Sequence, residues 1–248
     1  MINAMAASPV RRRTRRGEKY YGTASVGFIY KGGIILCEDS RVTQGNILRS
    51  QSMIKAFPVS NQIVATVAGR PAECSFWIRT LAWESGLHEL KHNEPLPLLS
   101  AATFISNAAM DEKMNGHNLG MGMILAGKDV SGPGLIRIDC EGFIYQGSVF
   151  AIGSGSESAL GVLDDGFHYH LNDKEAYDLA YRAVYYAGLA SDTTGGAVSL
   201  HHFNKTNWKT VGIIDCQRLH NNFTLGLNYA GEEIEDMELI PSKRFRMA

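Results

Sequence analysis

The chain alternates between two rhythms. From Thr23 onward, Thr23, Ser25, Gly27 and Ile29 fall on one face and Ala24, Val26, Phe28 and Tyr30 on the other. That period of two is the signature of a strand. The Gly32-Gly33 pair marks a turn and 33–37 is a second apolar strand, so a hairpin is predicted. Residues 44–60 are mixed. The run 63–68 predicts a short buried strand ending at Gly69, and 71 to about 90 reads as a helix with Pro71 in its first turn, where a missing N–H does no harm. A polar linker over 91–97 leads to a second helix over 98–114, expected to lie beside the first on one face of a sheet. Strands are predicted at 121–126, 135–139 and 143–145, with turns at 131–134 and 141–142. A third helix opens after Gly153-Ser154-Gly155-Ser156. A fourth runs over about 174–189, with Leu179, Ala183, Tyr186 and Ala190 read as its core face. Strands at 197–203 and 209–214 complete the pattern. Strands, two helices, strands, two helices, strands is an α+β order, and no repeat or linker divides it.

Composition narrows the class. In 248 residues, 45% are hydrophobic and 20% charged, the balance of a globular protein with a sizeable core. The net charge of −1 gives no bulk attraction to nucleic acid or membrane, and no apolar run reaches the length of a membrane span. Cys37, Cys74, Cys140 and Cys216 are scattered, without a C-x-x-C pair or a disulfide framework. Buried free thiols in a reducing compartment are the expectation. No acidic residue is spaced with the histidines, His201 and His202 included, to hold a metal. The Gly153 loop lacks the third glycine and the βαβ setting of a dinucleotide site. Neither a metal nor a cofactor is expected.

Residues 1–22 stand apart. Arg11, Arg12, Arg13, Arg15, Arg16 and Lys19 face one acid, Glu18. Without an apolar core the segment is not a secretory signal. A basic targeting signal, a nucleic-acid arm and a plain tail remain open.

Thr23, Asp39 and Lys55 recur at intervals of sixteen. The predicted hairpin brings the start of its first strand near the end of its second, and so Asp39 near Thr23. If the Gly22–Thr23 bond is cut, Thr23 carries a free amine with an ordinary pKa of about 7.7–8.0, suited to a general base at neutral pH. A threonine paired with its own amine is an activated nucleophile. A lysine would stabilise charge developing on the hydroxyl, and a carboxylate would hold that lysine charged and oriented. By spacing alone, the three also read as a strand residue, a turn residue and a surface charge. Gly69, just before a helix N-terminus, has its N–H at the positive end of the helix dipole, as an oxyanion donor requires. A glycine needed for a tight strand-to-helix turn is the ordinary reading, compatible with the first.

The stretches G-T-A-S-V-G-F from Gly22, E-D-S-R-V-T from Glu38, Lys55 and A-T-V-A-G-R from Ala65 together resemble a catalytic beta-type subunit of the proteasome core particle. Further matches are A-E-C-S-F-W from Ala72, G-P-G-L from Gly132, G-S-G-S from Gly153, A-Y-D-L-A from Ala176 and G-G-A-V from Gly195. C-S-F-W, G-P-G-L and A-Y-D-L-A resemble the chymotrypsin-like type, the fifth of the seven beta subunits. The resemblance covers roughly 22–215.

The resemblance implies a four-layer αββα sandwich, two antiparallel sheets between two helix layers, the N-terminal-nucleophile hydrolase fold. It makes residues 1–22 a propeptide, cut between Gly22 and Thr23, and 23–248 a single hydrolase domain. It implies Thr23 as nucleophile, Asp39 and Lys55 as the activating pair, and Gly69 N–H as oxyanion donor. The pocket for the residue before the cut maps onto Val42, Met53, Phe57, Val67 and Pro71, none of them charged. Other subunit types carry a basic residue at Val67 or an acidic one near Ser75, which argues against caspase-like and trypsin-like cutting here. The family binds its peptide as an added strand near Thr43 and on both sides of Gly69. The implied partners are other alpha and beta subunits in stacked rings of seven. The implied substrates are unfolded, mostly ubiquitin-tagged polypeptides in cytoplasm and nucleus.

Two positions depart from the family. Near the amine it places an aspartate and a serine, which align with Ser191 and Thr194. Asp192 is one residue late. A one-residue change of register at the helix end would bring the Asp192 carboxylate to the hydroxyls of Ser154 or Thr194. That is the favoured expectation, with Ser191 as the alternative. Second, Pro71 stands where a backbone N–H is expected to donate. Two other functional readings are a catalytically silent ring subunit and a stand-alone amidase with an N-terminal nucleophile.

Overall fold

The computed structural model describes residues 20–130, 132–204 and 207–225. Strand β1 is Tyr20–Tyr21, followed by β2 (Ala24–Tyr30), β3 (Gly33–Asp39), β4 (Val42–Gln44), β5 (Ile47–Ser50), β6 (Ala56–Pro58) and β7 (Ile63–Gly69). Helices α1 (Pro71–His92) and α2 (Leu98–Met114) precede β8 (Met121–Asp129), β9 (Gly132–Ile138), β10 (Ile144–Gln146) and β11 (Val149–Gly153). Then come α3 (Ser156–Gly166), α4 (Asp173–Ala190), β12 (Ala197–Phe203), β13 (Trp208–Asp215) and α5 (Cys216–Thr224).

Two antiparallel sheets of five strands, ordered β11-β2-β3-β12-β13 and β10-β9-β8-β7-β6, lie at the centre. Alternation along each strand sorts the core into three slabs. Ala24, Val26, Phe28, Ile35, Cys37 and Val198 pack the first sheet against Leu163 of α3 and Leu179, Ala183 and Val184 of α4. Ile63, Ala65, Val67, Met123 and Ile138 pack the second against Ile78 and Leu81 of α1 and Ala101, Ala102 and Ile105 of α2. Ile34, Leu36, Val64, Ile124, Leu135 and Phe203 fill the space between the sheets. The layers are therefore helix, sheet, sheet, helix, the αββα sandwich that the resemblance implies.

The β2–β3 hairpin pairs Tyr30 with Gly33 and Ser25 with Glu38, so strands and turn fall as the pattern predicts. Several elements differ. The β8–β9 turn is tighter than expected, Asp129 pairing directly with Gly132. β11 has no counterpart among the predicted strands, although it pairs with β2 and edges the first sheet. Residues 42–58 hold three short strands, two of them in a small sheet ordered β1-β4-β5. On α4, Tyr186 and Ala190 are exposed, not core; Ala176, Leu179, Ala180, Ala183, Val184 and Ala187 face inward. The true stripe is made of alanines, which the larger tyrosine masks in the pattern. Of the cysteines, Cys37 and Cys74 are buried, Cys216 is partly covered and Cys140 is exposed, all free thiols. Among the described residues no helix is long and apolar enough to cross a membrane, and no cluster of His, Cys, Asp or Glu is arranged to hold a metal ion.

Candidate active site

The hairpin register sets Asp39 opposite Ala24, and with it the carboxylate beside the start of β2. Asp39 Oδ1 accepts from the Ala24 N–H at 2.9 Å and from Lys55 Nζ at 2.6 Å. Its Oδ2 accepts from the backbone N–H of Gly195 at 2.9 Å and of Arg41 at 3.2 Å. Lys55, one residue before β6, sends its ammonium to Asp39, to the Arg41 carbonyl at 2.7 Å and to the Gly22 carbonyl at 3.1 Å. An ammonium has three N–H donors, and all three are used. The pair's side chains are 3% and 0% exposed, so both charges lie out of water and depend on each other. Burial pulls the Lys55 pKa below its ordinary value, opposed by Asp39 first and then by Glu38.

Thr23 is buried, and its hydroxyl donates to the carbonyl of Gly22 at 2.5 Å. Gly22 has φ +111°, and a Cβ there would lie 2.0 Å from the Thr193 carbonyl oxygen. Only glycine fits that backbone. The chain reaches it as a strand, with Tyr20 and Tyr21 of β1 paired to Gln44 and Thr43 of β4. Residues before Thr23 thus lie along the Thr43 edge. The first nineteen residues, and with them the basic cluster, lie outside the described residues.

A cluster of hydroxyls flanks Thr23 on the other side. β11 pairs Gly153 with Ala24 and delivers Ser154, whose Oγ lies 3.4 Å from the Thr23 carbonyl oxygen. Ser154 Oγ is 3.0 Å from Thr193 Oγ1 and 3.5 Å from Thr194 Oγ1. Ser191 Oγ donates to Ser154 Oγ at 3.3 Å and lies 2.8 Å from Thr193 Oγ1. The expected placement of Asp192 is corrected here. Helix α4 ends at Ala190, Ser191 is an extended cap with φ −138° and ψ 115°, and the Thr194 N–H donates to the Ser191 carbonyl at 3.0 Å. That turn points Ser191 into the cluster and leaves Asp192 exposed. The Asp192 carboxylate has no hydrogen-bond partner among the described residues; its backbone carbonyl accepts from Arg41 Nη1 at 3.0 Å. Thr193, which the sequence did not single out, joins the cluster instead.

Gly69 ends β7 with φ +140°, and a Cβ there would lie 2.1 Å from the Gly120 carbonyl oxygen. The Arg70 N–H donates to that carbonyl at 2.8 Å and the Val67 N–H to the Lys55 carbonyl at 3.2 Å. Antiparallel alternation therefore turns the Gly69 N–H away from β8 and toward the Lys55 edge, next to the N-terminus of α1. A cavity of ≈ 10 Å³ is lined by Gly22, Thr23, Val42, Met53, Lys55, Val67, Gly69, Pro71 and Cys74. Val42, Met53, Val67 and Pro71 therefore share one cavity with Thr23. Phe57 does not line this cavity; it packs half-buried against the α1–α2 side of the second sheet. Cys74 is the lining residue the sequence reading missed. It lies one helical turn after Pro71, inside the quoted A-E-C-S-F-W, and that spacing was the available signal. Burial, then Glu73, pushes its thiol up to about 12, so it is a neutral, apolar part of the wall.

A threonine preceded by glycine, a buried lysine–carboxylate pair on it and two sheets between helix layers define the N-terminal-nucleophile hydrolase class of fold. The sequence matches the family described as proteasome subunit over residues 20–202. It is 38% identical to proteasome subunit beta type-5 of Dictyostelium discoideum over 82% of this chain and 74% of that one. Against beta type-5 of Spinacia oleracea the identity is 37%, over 80% and 72%, and against that of Gallus gallus 36%, over 82% and 78%. The chain belongs to the proteasome subunit family.

Proposed function

We propose that this chain is a catalytic beta subunit of the proteasome core particle, a threonine peptidase of the chymotrypsin-like type. The observation that carries the reading is the Lys55 ammonium bridging Asp39 and the Gly22 carbonyl at the Thr23 hydroxyl. Residues 1–22 are a propeptide. Thr23 Oγ attacks the Gly22 carbonyl carbon, the Gly22–Thr23 C–N bond breaks and the nitrogen takes up the hydroxyl proton as the free Thr23 amine; water then hydrolyses the resulting ester, which frees the Thr23 hydroxyl and releases residues 1–22 with a Gly22 carboxylate. That amine then serves as the base for Thr23 Oγ in attack on substrate. Lys55 stabilises the developing alkoxide, Asp39 keeps Lys55 charged and oriented, and the Gly69 N–H receives the oxyanion. Ser154, Thr194 and Ser191 hold the amine in the hydroxyl cluster.

Substrate lies as a strand along the Thr43 edge, where Tyr21 lies before cleavage. Val42, Met53, Val67, Pro71 and Cys74 form an uncharged pocket that favours apolar side chains, each worth roughly 1.5–3 kcal/mol on burial. Phe57 packs against the core cluster to which Val67 and Cys74 belong.

The partners are other alpha and beta subunits in stacked rings of seven. Both helix layers leave large apolar side chains uncovered, among them Phe76, Trp83 and Leu90 of α1 and Tyr186 and Leu189 of α4, as an assembling subunit requires. The substrates are unfolded, mostly ubiquitin-tagged polypeptides, and the location is cytoplasm and nucleus. Purified particles carrying the chain test the reading on peptides ending in a hydrophobic, a basic or an acidic residue before the reporter. Hydrophobic peptides are cleaved fastest, and Thr23→Ala abolishes that activity alone; a Thr23→Ala particle as active as the wild type would overturn it.

A further inference from the structure

A second buried carboxylate lies behind the catalytic pair. Glu38, next to Asp39 on β3, is 2% exposed. It pairs with Ser25 on β2 and Ser199 on β12, and faces the space between the sheets while Asp39 faces Lys55. Its Oε1 lies 2.9 Å from Nε2 of the buried His201, and His201 Nδ1 lies 3.0 Å from Thr210 Oγ1. Its Oε2 is buried with no hydrogen-bond partner. A carboxylate only accepts, so His201 Nε2 carries a proton and donates to Glu38 Oε1. In this cluster only Glu38 Oε2 lacks a hydrogen-bond partner.

The Glu38 carboxylate adjoins the Lys55 site, being next in sequence to Asp39, which binds the ammonium. The Thr66 hydroxyl donates to Ser25 Oγ at 2.9 Å across the sheets. Thr66 pairs with Ala56, the residue after Lys55. An orphaned buried carboxylate oxygen calls for an explanation, and the Lys55 ammonium, held by the adjacent Asp39, is a cation it can favour through space without a hydrogen bond. We propose that Glu38, anchored by His201, is a positioning residue: a second buried anion that keeps the Lys55 ammonium charged and in place. The proposal rests on the catalytic reading of Lys55 given above.

The other groups facing Lys55 are few. Asp39 lies on β3 and the neutral Cys74 thiol on α1. Arg41, just past β3, offers its carbonyl and sends its guanidinium to Asp192. After cleavage the Thr23 amine faces it from β2. Around Glu38 stand His201, Asp39 and the neutral thiol of Cys37, which burial and Glu38 both push upward. Burial works against the Lys55 charge, and Asp39 and Glu38 work for it. Removing the Glu38 charge therefore lets Lys55 lose its proton at lower pH.

The test is the pH profile of peptide hydrolysis by assembled particles. Glu38→Gln keeps an acceptor for His201 and removes the charge. It moves the alkaline half-point of kcat down by about one pH unit, leaves KM unchanged and leaves kcat at the optimum within about twofold. His201→Gln keeps the Glu38 charge and leaves the half-point within about 0.3 units of wild type. The double variant Glu38→Leu with His201→Leu replaces the buried pair by apolar groups, a change that cores tolerate, and it shows the same downward shift if the single variant fails to assemble. An unmoved half-point, or a loss of kcat by the same factor at every pH, would mean that Glu38 only packs. A wild-type profile with no alkaline limb, or full activity in Lys55→Ala, would instead refute the catalytic reading itself.

Discussion

Tyr21 pairs in register with Thr43, two residues before the threonine whose hydroxyl touches the Gly22 carbonyl. Tyr20 and Tyr21 therefore lie where the substrate strand of this family is expected, and the chain's own backbone fills that edge. Gly22 makes the approach possible, because its φ of +111° and the 2.0 Å gap to the Thr193 carbonyl exclude a Cβ. Gly22→Ala forces the backbone to shift, at about 1–3 kcal/mol of strain. Propeptide removal then slows by about tenfold or more, seen as a persistent precursor band in a pulse-chase of particle assembly. Removal at the wild-type rate would mean that the bond is cut from a different backbone conformation.

The Ser191–Ser154–Thr193 hydroxyls predict which residue fixes the amine. Ser191→Ala removes two contacts of the cluster and lowers kcat by about tenfold, or about 1.4 kcal/mol. Asp192→Asn, on an exposed side chain, leaves kcat and propeptide removal unchanged. Single-turnover and steady-state rates on a hydrophobic peptide separate the two. The opposite pattern would show that the 191–194 turn re-registers after cleavage.

Pro71 opens α1 and lines the pocket, where a substrate strand would otherwise gain a backbone donor. Pro71→Ala restores that N–H and tightens a peptide inhibitor by about 0.5–1.5 kcal/mol, measured as a lower Ki with unchanged assembly. Equal or weaker binding would place the substrate backbone off this edge.

The sequence exposed most of the fold because its long elements carry clean periods. The alternation from Thr23 to Tyr30 fixes which side of β2 meets α4, and the edges of α2 and β12 fall where the pattern ends. What it hid was short or dependent on distant partners. β11 is a five-residue run, V-F-A-I-G, apolar almost throughout and so without the alternation that marks a strand, yet it delivers Ser154. The three-residue β4 has no period to read and is defined only by β1 and β5 on either side. Asp192 was favoured over Ser191 because its charge matched the family's chemistry, and the cap geometry of α4 decided otherwise. His201 looked partnerless because Glu38 lies 163 positions away and meets it only across a strand pair. For Thr23 and Asp39 the predicted hairpin gave proximity, but the even spacing alone also fitted ordinary residues, and Lys55, beyond the hairpin, joined them only through the family resemblance.

The central claim is that Thr23 becomes the first residue and then the nucleophile. Intact-mass measurement of this chain from assembled, active particles tests it most directly, run beside Thr23→Ala and Lys55→Ala. The wild-type chain has lost residues 1–22 and begins at Thr23. Both variants retain the propeptide, and their hydrolysis of hydrophobic peptides falls on the order of 10³-fold or more. An active wild-type particle whose chain still carries Gly22, or a Lys55→Ala chain processed and active like the wild type, would contradict the account.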